Sequence, residues 1–74
     1  MSLSKRSMTI AGHRTSLALE PEFWNRLEHC ARSEGMTMPA LIGRIDVERA
    51  SSHPDRPLAS AARVYALHYA AEAA

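Results

Sequence analysis

The residues of this 74-residue chain best suited to chemistry are four histidines, one cysteine and a short N-terminal group of cations. A zinc site needs imidazoles or thiolates at short, paired spacings, and His13, His29, His53 and His68 show none. His29 and Cys30 are adjacent in a segment that reads as helix, where neighbouring side chains point about 100° apart. No metal and no cofactor are expected. Cys30, alone among apolar helical positions, reads as a small core hydrophobe. No nucleophile, base and orienting group come together, so the chain is not expected to be an enzyme.

The cations are more informative, because the net charge of +1 is unevenly placed. Residues 1–16 hold Lys5, Arg6 and Arg14 and no acid. Residues 17–34 hold Glu20, Glu22, Glu28 and Glu34 against Arg26 and Arg32, and the remainder balances to zero. The positive excess therefore sits at the N-terminal end, as expected of a segment that meets a polyanion. No apolar run approaches the roughly 20 residues of a membrane-spanning helix, and residues 1–10 are too polar for a signal peptide. No membrane partner and a cytoplasmic location are expected.

These residues need elements to hold them. Residues 13–19 alternate, with Thr15, Leu17 and Leu19 on one face and Arg14, Ser16 and Ala18 on the other, the pattern of a half-buried strand. Pro21 suits a first helical position, and Phe23, Trp24, Leu27, Cys30 and Ala31 form one apolar stripe before Gly35, so the pattern predicts a helix over 21–34. Thr37 is a good N-cap for a second helix ending near Ala50, with Met38, Leu41, Ile42 and Ile45 on one face. Residues 51–57 carry two serines and two prolines and read as a loop. A third, alanine-rich helix follows from Leu58 to about Glu72, apolar around much of its circumference and suited to wedge between other helices. Ala73 and Ala74 are expected to fray.

Before the strand, Met8 and Ile10 alternate on even positions, out of phase with Leu17 and Leu19. Gly12 can reset the phase either as a bulge in one long strand or as half of an Ala11-Gly12 turn. The turn would gather Lys5, Ser7, Thr9, Arg14, Ser16 and Ala18 on one polar face, although Ala-Gly is not the Asn-Gly that tight hairpins favour.

A chain this short rarely buries enough apolar surface alone, and a lone strand leaves its backbone groups unpaired. A second copy is the expected partner for residues 13–19, giving a homodimer whose shared core comprises Leu17, Leu19, Trp24, Leu27, Leu41, Ile42 and Ile45. The architecture expected is mainly α with one short β-ribbon: an N-terminal basic arm (1–6), a ribbon and two helices (7–50), a loop (51–57) and a C-terminal helix and tail (58–74). That last helix offers a surface through which dimers could pair into tetramers.

About half the chain resembles the ribbon-helix-helix family of bacterial DNA-binding proteins, with Arg14-Thr15-Ser16-Leu17-Ala18-Leu19 as ribbon, Gly35-Met36-Thr37 between the helices and Leu41-Ile42 in the second. Residues 5–16, 20–24 and 60–64 look like a subgroup of short proteins with an appended third helix. The resemblance implies a transcriptional regulator that places an intersubunit antiparallel ribbon in the major groove of double-stranded DNA. Arg14 and Ser16 would then read bases, and Thr37 with the Met38 and Ala40 amides would hold a phosphate. Pro39 removes one donor from that clamp. Lys5 and Arg6 read either as a minor-groove or phosphate arm or as solubilising charges, and His13 either as a residue suited to a turn beside Gly12 or as a DNA contact.

A rival reading is a dimerisation or assembly module of the same fold that binds a protein partner. A hairpin at Ala11-Gly12 would favour it, because a four-stranded sheet spans about 14 Å between outer strand axes, more than a major groove about 12 Å wide admits.

Overall fold

The computed structural model describes residues 2–73. Its elements are β1 (Ser4–Ile10), β2 (His13–Leu19), α1 (Pro21–Ser33), α2 (Met38–Ser52) and α3 (Leu58–Ala73). The expected ribbon and three helices are present, with small changes at their ends: Ser51 and Ser52 extend α2 into the predicted loop, and residues 4–6 belong to β1 rather than to a free arm. Ala73 closes α3; the fraying expected of Ala74 lies outside the described residues.

The path of residues 7–19 is a hairpin. Ala11 and Gly12 both have positive φ, 51° and 81°, as a two-residue type I′ turn requires. The strands pair antiparallel from Ile10↔His13 to Ser4↔Leu19. This corrects the expectation that residues 13–19 can be paired only by a second copy: β1 of the same chain supplies the partner. The reason is burial, since the turn puts Met8 and Ile10 on the same face as Leu17 and Leu19, and all four are buried. The hairpin keeps an L-residue at positive φ, which costs roughly 1–2 kcal/mol. Ala11→Asn, which tolerates that region, will therefore stabilise the protein by about 0.5–1 kcal/mol and raise Tm by roughly 2–8 °C in a thermal melt.

Behind the hairpin lie the helices. Trp24, Leu27, Cys30 and Ala31 face inward from α1, and Leu41, Ile42 and Ile45 from α2. The seven residues expected in a shared core are thus all buried within a single copy. α3 packs against α1, α2 and β2 through Ala61, Ala62 and Ala66, whose small side chains permit close approach. It does not bury its whole circumference: Leu67 is 65% exposed.

The junctions are specified locally. After α1 the Gly35 N–H donates to the Arg32 carbonyl (3.2 Å) and the Met36 N–H to the Ala31 carbonyl (2.8 Å), a Schellman closure that needs the left-handed Gly35 at φ 65°. The loop before α3 is tied to Arg49, whose Nη1 donates to the Pro54 and Arg56 carbonyls at 3.1 Å each while Nε holds Asp46 at 2.9 Å.

One long-range ion pair joins the start of α1 to α3. Arg63 Nε donates to Glu20 Oε1 at 2.9 Å, and this bond holds the Glu20 carboxyl below its ordinary 4.5. A carboxylate whose pKa is depressed in the folded state adds stability above its unfolded pKa and loses it as pH falls through the folded one. Tm of the wild type will therefore drop more than that of Glu20→Gln between pH 6 and pH 3, and identical pH profiles would show the pair to be without thermodynamic effect.

Candidate nucleic-acid interface

The register sorts the hairpin side chains into two faces. Ser4, Arg6, Met8, Ile10, His13, Thr15, Leu17 and Leu19 alternate onto the helix side, and Lys5, Ser7, Thr9, Arg14, Ser16 and Ala18 onto the other. On that outer face every residue is exposed except the half-buried Ala18. The face carries two cations and no acid.

A two-residue turn makes Ile10–His13 a hydrogen-bonded pair, so Thr9–Arg14, Ser7–Ser16 and Lys5–Ala18 are non-hydrogen-bonded pairs, in which side chains approach most closely. The Ser7 and Ser16 hydroxyls accordingly lie 3.1 Å apart. Lys5 stands four positions along β1 from Thr9, the residue opposite Arg14, which sets the two cations about 14 Å apart along the ribbon. Neither makes an ion pair among the described residues. The outward backbone groups of Arg14, Ser16 and Ala18 form the second edge of β2, which has no partner strand among the described residues.

The other residues expected at a site are placed differently. Arg6 lies on the helix side, its guanidinium carbon 4.6 Å from the Trp24 ring centroid and its Nη1 3.4 Å from Glu28 Oε2. His13 is exposed at the end of the hairpin beside Gly12. Thr37 caps α2 by accepting the Ala40 N–H at 3.3 Å, and the Leu41 N–H goes to the Thr37 carbonyl at 3.0 Å. With Ala40 engaged and Pro39 lacking an N–H, Met38 remains as the first-turn amide for a phosphate. The structure thus brings Lys5, Arg14 and Ser16 onto one face and sets Arg6 behind it. Ser7 and Thr9 complete that face, and the even-odd alternation of residues 4–10 was the signal for both facts.

Among the described residues no three His, Cys, Asp or Glu side chains converge. His53 and His68 line an open groove between α2 and α3, and His29 meets the Tyr69 ring edge-on at 6.4 Å. Cys30 is fully buried, and desolvation pushes its thiol up, away from the reactive thiolate. No helix among the described residues is long and apolar enough to cross a membrane.

Comparison with curated proteins and with solved structures finds no match. A family model described as a ribbon-helix-helix domain matches residues 3–70. That match runs through the hairpin, both helices behind it and most of α3, and so the chain belongs to the ribbon-helix-helix family.

Proposed function

We propose that this protein is a DNA-binding regulator that acts as a pair of copies and lays the outer face of its hairpin against duplex DNA. Ribbon-helix-helix proteins typically dimerise and bind DNA as regulators. The observation that carries the reading here is the acid-free outer face, with Lys5 and Arg14 making no ion pair among the described residues and three hydroxyls between them. Phosphate contacts from such a face give affinity, and Arg14 is the side chain with the donors to read a guanine edge.

The manner of contact differs from an inserted intersubunit ribbon. β2 is already paired to β1, so joining two copies along the free β2 edges would build a four-stranded sheet about 14 Å across. That sheet is too wide to sink into the groove. It would rest over the groove mouth, with the β2 side chains pointing in and the β1 side chains toward the phosphate ridges. Affinity dominated by phosphates and modest sequence selectivity follow.

The same width supports a second reading, an assembly module that pairs copies or binds a protein without touching DNA. Fluorescence anisotropy of labelled duplexes across a salt series separates the two. Two copies offer four outer-face cations, so the DNA reading expects log K to fall with log salt at a slope no steeper than about −4. Absence of binding at about 50 mM salt, with paired copies seen by sedimentation, would assign the protein to the assembly reading.

A further inference from the structure

We propose that Arg6 is a positioning residue: together with Trp24 and Glu28 it forms a clasp that fixes the start of β1 on α1 and so presents Lys5 to DNA. The inference rests on the DNA-binding reading and deepens it. Lys5 is bracketed by two anchors on one indole. On one side the Trp24 Nε1–H donates to the Ser4 carbonyl at 2.7 Å; on the other the Arg6 guanidinium covers the Trp24 ring at 4.6 Å and reaches Glu28 at 3.4 Å. Trp24 itself is 1% exposed, so both anchors tie Lys5 to the buried core of the molecule.

The clasp holds the end of the ribbon most prone to fray. Ser4 is the first residue of β1, at the open end of the hairpin away from the turn, and both Ser4 and Lys5 are exposed. Released from Trp24, this end would still carry Lys5, but as a mobile cation that must be ordered at each binding event. Charge count would be unchanged and affinity lower.

Glu28→Gln gives the sign that separates positioning from contact. If Arg6 met phosphate, removing Glu28 would free it, and DNA binding would tighten with a salt slope steeper by about 0.9 per copy. If Arg6 positions Lys5, Glu28→Gln and Arg6→Ala both weaken binding, by about two- to five-fold, while the slope stays within about 0.5 of wild type. Trp24 is the only tryptophan, so its emission reports the clasp without reference to DNA. Arg6→Ala is expected to shift that emission to the red and raise its quenching by acrylamide. Tighter binding by Glu28→Gln, or an Arg6→Ala emission spectrum identical to wild type, would overturn the proposal. Should the wild type bind no duplex at all, the DNA reading fails and the presentation of Lys5 with it, while the emission of Arg6→Ala still decides whether the clasp exists.

Discussion

Trp24→Ala will remove a large share of the protein's stability, about 3–5 kcal/mol. The side chain is the largest in the core, 1% exposed, and meets the start of β1 twice, through the Ser4 carbonyl and the Arg6 guanidinium. Truncating a buried tryptophan costs about 3–5 kcal/mol through lost transfer energy and the residual cavity. Here the Ser4 carbonyl also loses a donor and the cation loses its ring. A chain of this length is expected to hold only about 4–11 kcal/mol in total, at 0.05–0.15 kcal/mol per residue. Urea titration followed by far-ultraviolet circular dichroism measures the result directly. A midpoint within 0.5 M of wild type would mean that the core does not depend on Trp24 as the packing indicates; with m at about 1–3 kcal/mol/M, the expected change is about 1–5 M.

The second large effect concerns binding, not stability. Lys5→Ala together with Arg14→Ala removes all four cations from the outer faces of two copies, and with them the predicted electrostatic affinity. At a slope near −4 the wild-type complex weakens by about 250-fold between 50 and 200 mM salt, whereas the double variant is expected to show residual, nearly salt-independent binding at most. Arg14→Ala alone should lose discrimination between guanine-containing sites, worth about 1–3 kcal/mol per bidentate contact. Because both side chains are exposed and make no ion pair among the described residues, Tm is expected to stay within about 2 °C. Loss of binding accompanied by a large fall in Tm would point to unfolding as the cause and remove these residues from the interface.

Much of this was legible in the residues because the cues were local. The Trp24, Leu27, Cys30, Ala31 stripe has a single solution as a helix face, Thr37 and Gly35 fix the ends of the two helices through their own hydrogen bonds, and alternation over 13–19 admits only a strand. What could not be read depended on competition between terms. Ala11 argues against a tight turn and the burial of Met8 and Ile10 argues for it; the burial of two large side chains outweighs one strained φ. In α3 so many positions are alanine or larger apolar residues that hydropathy does not choose a face, and it is size, with Ala61, Ala62 and Ala66 admitting close neighbours, that leaves Leu67 in water. Arg6 was grouped with Lys5 by charge. Its even position in β1, shared with Met8 and Ile10, decided otherwise, because a strand sends adjacent residues to opposite sides.

That β2 is completed by its own neighbour in the chain bears on how copies come and go. In an interwoven pair, a subunit can leave only by unfolding, so exchange is as slow as denaturation. Here each copy carries a closed ladder and a full core, and association would add contacts along an edge already formed. For copies that pair as proposed, mixing tagged and untagged protein should therefore scramble the pairs at the rate of simple dissociation, without passage through a denatured state.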